Sequence, residues 1–278
     1  MKMQNRYQSA SRLLPLVLIA PSVILLSVVF IFPFFRVIYD GLFKEGRLSF
    51  EGFKKVTDFY VEDIFYTIFI SVIALFLTLL FGILIGAFLR LYKSKWIEFL
   101  FKIPLFIPYV VVGHAMRTFL APHGTLNSFL SVLRLIDLNN PPSLAYSSTG
   151  IIIALVWKNI AFALLLIMAP FQVIGDSYLQ AAQNAGAGFL RLVKDVLIPM
   201  SRSSILVSGI IIFTSMMGSF SIPMMMGNGD GPKMIMIDLY YRITYQNDIA
   251  TANALGMISF LLSLGAAWFY VRKVVNNE

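Results

Sequence analysis

The residues between Ser177 and Pro199 are the ones whose types and spacing could do work, and the work is docking rather than bond-making. Ser177 and Gln180 have capping-box spacing, which predicts a short helix starting at about Tyr178. Gln180, Ala181, Ala182, Gln183 and Asn184 then offer a small, polar surface that a partner's groove can approach closely. Gly186 and Gly188 can take positive φ and end that helix. After Ala187, the residues Phe189, Leu190, Leu192, Val193 and Val196 recur at helical spacing, so a second helix with one buried face follows. Pro199 marks the entrance to the next long helix, where a missing N–H costs little.

Covalent chemistry has no such support. There is no cysteine, which removes disulfides and thiolate metal sites. His114 and His123 are the only histidines, and neither sits in a His/carboxylate set with metal-ligand spacing. No G-x-x-x-x-G-K-[ST] loop is present, so the chain is not expected to hydrolyse ATP itself. No G-x-S-x-G elbow supports a serine hydrolase.

The elements that must carry the docking segment are membrane helices. Of 278 residues, 58% are hydrophobic and 13% charged, against about 25% charged in an average soluble domain. A helix needs roughly 20 apolar residues to cross a bilayer. Six runs qualify: about 13–35, 65–89, 97–120, 149–174, 203–226 and 252–271. The first is too long for a typical signal-peptide core and lacks a clear cleavage site, so it reads as a retained helix. The whole chain reads as one all-α, six-span membrane domain, with its docking segment at about 175–200.

The net charge of +8 could suggest nucleic acid. Its distribution argues instead for membrane topology. With the N-terminus inside, the inner segments and helix ends hold twelve basic and four acidic residues. The outer ones hold nine basic and ten acidic. The excess lies in the short inner loops, where the positive-inside rule applies best, so both termini are expected on the cytoplasmic side. The outer connections, about 36–64, 121–148 and 227–251, read as ordered loops with short helices.

Lys158 is the most notable residue within a span, with Asn159 beside it. A lysine near the centre of a spanning helix costs roughly 2.5–3.5 kcal/mol on insertion scales. Two readings stand: it faces a polar pathway, a partner carboxylate or carbonyl groups, or it snorkels to the outer headgroups. Ser215, Ser219 and Met217 on the fifth run are further candidates for a pathway or gate, although packing is the blander reading of the methionines. His114 and Arg117 either touch an anion or mark the outer interface, the latter being favoured. Gly82-x-x-x-Gly86 would permit close helix packing. The spans contain almost no carboxylates, which disfavours an ion-coupled secondary transporter.

The stretch from Gln180 to Pro199 resembles the EAA loop of the membrane subunits of binding-protein-dependent ABC importers. That pattern is E-A-A-x-x-x-G-A, about ten residues, then hydrophobic-Pro. Gln180, Ala181, Ala182, Gly186, Ala187 and Ile198-Pro199 fill its places, with Gln where the family usually has Glu. Ala185 stands where an Asp is common. Pro104-Leu-Phe-Ile-Pro108, the Gly124–Asn127 turn and Val156-Trp-Lys158 also look like this family. The resemblance implies a type I importer permease fold and a docking surface at Gln180, Ala181, Ala182, Asn184, Gly186, Ala187, Phe189 and Leu190. It implies as partners a second permease, two ATPase subunits that hold ATP and Mg, and an extracytoplasmic substrate-binding protein. This chain itself would bind no cofactor. Gly218-Ser-Phe-Ser-Ile-Pro223 looks like permeases for polyamines, iron, phosphonate and other small polar solutes; a sugar is the alternative.

Overall fold

The structure is a computed structural model and describes residues 17–44, 46–227 and 231–275. The charges Lys2, Arg6, Arg12 and Glu278, and the start of the first apolar run, lie outside the described residues. The first helix, α1, spans Val17–Leu42. A two-residue hairpin follows, with β1 (Phe43–Lys44) antiparallel to β2 (Arg47–Leu48) and Phe43 opposite Leu48. The helices α2 (Glu51–Phe59) and α3 (Val61–Tyr92) come next. Then come α4 (Lys95–Phe106), α5 (Tyr109–Phe119), α6 (Thr125–Val132) and α7 (Ser148–Val173). The inner segment forms α8 (Asp176–Asn184) and α9 (Phe189–Met200). The chain ends with α10 (Arg202–Met217), α11 (Ser221–Met226), α12 (Ile235–Thr244) and α13 (Ile249–Val275).

Among the described residues, four helices are long and apolar enough to cross a membrane, or six if each of two bent pairs is one span. The second, fourth and sixth runs are single helices close to their expected bounds. The third and fifth depart from a straight span. Between α4 and α5 the axis turns by 108°. Pro104 lies inside α4, and Ile107, which precedes Pro108, is extended at φ −93° and ψ 123°. A residue before proline disfavours the helical region, so the helix stops there. The fifth run ends early, at Met217. Gly218, Ser219 and Phe220 separate it from α11, and its inner end meets α9 at 83°.

The centre of the bundle is α7, whose apolar stretch is 61% buried against 28% for α3 and none for α1. It packs along α3 through a stripe of small residues: Ser71, Ala74, Thr78, Gly82 and Gly86 are all buried. At Gly82 a Cβ would lie 3.2 Å from the Ala163 Cβ and 3.3 Å from Ile167 Cδ1, so a side chain there would require these neighbours to give by a few tenths of an ångström. Beyond them, α10 packs against α3, α7 and α13, while α13 packs against α1, α2 and α12. The helices α2, α12 and α13 are tied by Asp248, which accepts from Lys55 at 3.0 Å, Arg242 at 3.3 Å and the Thr251 hydroxyl at 2.8 Å. Buried Asn127 donates to the carbonyls of Ala121, Pro122 and Pro142, which fixes the turn leading into α6.

Candidate functional site

One end of the bundle presents α8 with most of its surface open. Leu179 is its buried anchor. Gln180, Ala181 and Asn184 are exposed, and Ala182 is half-buried. The helix starts two residues earlier than the capping box predicts. Its N-cap is Gly175, with no side-chain cap, and Asp176 is its first residue. The Asp176 carboxylate is held instead by a distant arginine, and that interaction overrides the local box.

The C-terminus of α8 closes as a Schellman turn. Gly186 sits at φ +83°. Its N–H donates to Gln183 O at 2.8 Å, and the Ala187 N–H donates to Ala182 O at 3.0 Å. The half-buried Ala182 and Ala187 both pack against the core beside this turn. Gly188 does not share the left-handed conformation: it is extended at φ −76° and caps α9. One left-handed residue suffices to reverse the chain, so the second glycine has no such task. Along α9, Leu192, Val193 and Leu197 are buried, Phe189 is half-buried, and Leu190 is exposed. Leu192–Leu197 is wound as a π-helical stretch. Pro199 lies in the last turn of α9, not at the entrance to α10, and the bend falls at Ser201.

Arg90, in the last turn of α3, fastens this assembly to the bundle. Its Nε donates to Phe171 O at 2.9 Å. Its Nη2 donates to Ile174 O at 2.7 Å and to Asp176 Oδ1 at 2.5 Å. One guanidinium therefore caps the carbonyl end of α7 and pins the first residue of α8. The Arg90 side chain is only 9% exposed and Asp176 is 59% exposed. The guanidinium, with help from Lys93, holds the Asp176 carboxyl below the usual aspartate range. In the sequence Arg90 is simply one of the twelve basic residues of the inner segments and helix ends. Its partners lie 81 to 86 residues away, and no local signal points to them.

Two of the candidates within the membrane, Lys158 and Ser215, meet at the break in the third span. Lys158 Nζ donates to Pro104 O and to Ile107 O, each at 2.6 Å. It also lies 4.7 Å from the centre of the Tyr109 ring. Carbonyl groups of its own chain are thus its partners, and the side chain points inward rather than snorkelling. Within hydrocarbon, backbone groups freed at a break must find partners in the protein, and Lys158 supplies them. The Tyr109 hydroxyl lies 3.4 Å from Ser215 Oγ, so Tyr109 joins Lys158 on α7 to Ser215 on α10. Asn159 is buried and donates to Leu155 O at 2.8 Å, within its own helix. Ser219 and Met217 are buried too, and Ser215 is half-buried. Arg117 donates from Nε to the Tyr146 hydroxyl at 3.0 Å, and His114 is exposed one turn away. Tyr109 is the residue sequence reading missed; its place directly after Pro108 was the available signal.

Residues 63–273 match the family described as "Binding-protein-dependent transport system inner membrane component". The chain is 29% identical to the sulfoquinovosyl glycerol transport system permease protein SmoG of Agrobacterium fabrum, over 96% of this chain and 92% of that protein. It is 22% identical to the spermidine/putrescine transport system permease protein PotB of Haemophilus influenzae, over 79% of this chain and 77% of that one. Its fold matches a chain of the bacterial alginate ABC transporter crystallised with an alginate pentasaccharide-bound periplasmic protein. The TM-score is 0.75 at 20% identity, covering 95% of each chain.

Proposed function

This chain belongs to the family of binding-protein-dependent transport system inner membrane components, and from that premise we propose that α8 is the surface through which a separate ATPase subunit drives it. It is a permease subunit of an ABC importer; the permease performs no covalent step. In the proposed assembly it pairs with a second permease and two ATPase subunits, which hold ATP and Mg. A substrate-binding protein delivers solute to the outer loops. Both termini lie in the cytoplasm.

The observation that carries this reading is the build of α8. Its exposed face is small and polar, its two ends are fixed by Arg90 and by the Gly186 turn, and its buried side is anchored by Leu179. A force applied to such a helix moves the inner ends of α3 and α7 with it. Gln180 and Ala185 carry no charge, so docking depends on shape and neutral hydrogen bonds. Ser215 is the half-open member of the pathway candidates; Lys158, Asn159, Ser219 and Met217 are buried.

The solute is a small polar molecule. Gly218-Ser-Phe-Ser-Ile-Pro223 supports a polyamine-like or similar small solute, iron and phosphonate among them. The match to SmoG along 96% of the chain favours a second reading, a sugar conjugate. The test is uptake into vesicles holding the chain, its second permease, its ATPase and its binding protein. Spermidine, 2-aminoethylphosphonate and sulfoquinovosyl glycerol would be offered in turn. ATP-dependent uptake of one of them identifies the class; uptake unaffected by omitting the ATPase would overturn the importer assembly.

A further inference from the structure

Beside the Arg90 clasp lies a cavity of about 510 Å³ between the α3–α4 turn and the inner end of α7. Its charged and polar lining is Arg90, Lys93, Lys95, Glu98, Gln172 and Asp176. Both carboxylates of the lining are already matched: Arg90 holds Asp176, and Lys102, outside the lining, holds Glu98 at 2.5 Å. Lys93 and Lys95, on either side of Ser94, have no carboxylate within ion-pair distance among the described residues. Both are exposed at the cavity mouth. The rim is not that of a water-facing pocket. Trp96 is 81% exposed, Val173 85% and Tyr92 63%, and Phe99 and Leu100 continue the apolar surface along α4. Aromatic rings beside lysines at a helix end mark the headgroup level of a bilayer.

We propose that this cavity binds the headgroup of an anionic phospholipid of the inner leaflet. The headgroup phosphate lies between Lys93 and Lys95, and the acyl chains run over Trp96, Phe99 and Val173. Basic pockets between spanning helices on the cytoplasmic side suit such headgroups. The assignment to the inner leaflet rests on the orientation given under the proposed function. The consequence reaches the docking surface, because the bound headgroup shields the exposed side of the Arg90–Asp176 pair from water and salt. Phosphate chemistry alone could equally come from a soluble phosphate ester; the apolar rim favours the lipid.

The experiment uses the complete importer, purified and then exchanged into nanodiscs of neutral lipid with a minor fraction of phosphatidylglycerol. Retained phosphatidylglycerol is read by native mass spectrometry, for the wild type and for Lys93→Gln/Lys95→Gln. Each lysine near an anionic surface is worth roughly fivefold in affinity, so the double variant should lose about twenty-fivefold. Lys93→Arg/Lys95→Arg should retain the lipid as the wild type does. Equal retention by the Gln variant overturns the site. Displacement of the lipid by millimolar glycerol phosphate overturns the lipid as occupant. Labelling of Ser94→Cys from the outer face by an impermeant maleimide overturns the inner-leaflet assignment, whatever the retention result.

Discussion

Lys158 and Arg90 each use one long cationic side chain to finish a helix that ends inside the fold, but in different surroundings. Lys158 is 7% exposed and faces two carbonyls and a tyrosine ring, with no carboxylate among its contacts. Arg90 faces two carbonyls and a carboxylate that is largely open to water. The first arrangement joins elements of the membrane interior and is insensitive to what surrounds the protein. The second sits where an external partner would press, and one of its three bonds is exposed to salt. The pair separates a fixed brace from an adjustable clasp.

The largest effect is expected from removing the brace. Lys158→Met leaves the Ile107 carbonyl without its side-chain donor and the Pro104 carbonyl with only the 3.4 Å bond from the Ile107 N–H. Hydrogen bonds to charged groups are each worth about 1.5–3 kcal/mol. Relief of the lysine's own desolvation offsets part of this, so a net loss of roughly 2 kcal/mol is expected. Thermal unfolding of the purified complex would show it as a lower midpoint, with uptake reduced more than membrane insertion. An unchanged midpoint and unchanged uptake would remove Lys158 from the account.

Untying the clasp should cost coupling before it costs stability. Arg90→Gln releases α8 from α7, and Arg90→Lys keeps charge but loses the fork that reaches three acceptors. Both should raise the ATP hydrolysed per solute carried, Gln more than Lys, with about a tenfold fall in uptake for Gln. Normal stoichiometry in both variants would make the clasp a packing detail.

Gly186 tests the far end of the same helix. At φ +83° an alanine costs about 1 kcal/mol, while asparagine tolerates the conformation better. No atom lies within 4 Å of a Cβ built there, so this chain itself has room for a side chain. Gly186→Asn should therefore fold and couple nearly normally. Gly186→Glu should insert normally yet lose ATPase stimulation, because its bulk and charge fall on the docking face.

The smallest effect belongs to Asp176. Its folded pKa is depressed, so the stabilisation it gives is present above the ordinary value of 3.8 and is lost only as pH falls below it. Uptake should show no Asp176-dependent change between pH 5.5 and 8. Asp176→Asn should lower coupling by no more than about fivefold, and raised salt should narrow the gap to wild type. A midpoint near pH 6 that vanished in Asp176→Asn would contradict the clasp as described.

Much of this architecture is legible in the sequence, for a physical reason. In lipid, the apolar length of a run decides whether it spans, and the runs that became α3, α7 and α13 say so directly. Gly186 is legible too, because a short helix that must reverse needs a left-handed residue. What hydropathy cannot report is direction. The third run is apolar from Ile97 to Leu120, and averaging hides the 108° turn that Pro104 and Pro108 impose. Once the turn exists, its freed carbonyls need a donor, and Lys158, about 50 residues on, becomes the answer to a question the linear sequence does not pose. Arg90 was hidden in the same way: as one more inner charge it looked like topology, and its role appears only when α3 and α7 end side by side.

The central claim is that α8 is the surface on which an ATPase subunit acts, and the absence of any native cysteine makes a direct test clean. A single cysteine would be placed at exposed Ala181 on α8, or at exposed Asn139 on the opposite end of the molecule. Each would be treated with a short bifunctional thiol–amine cross-linker in the assembled importer, with and without ATP. The account predicts that Ala181→Cys joins the chain to the ATPase subunit in an ATP-sensitive manner and that Asn139→Cys does not. An ATPase adduct from Asn139→Cys, with none from Ala181→Cys, would contradict it.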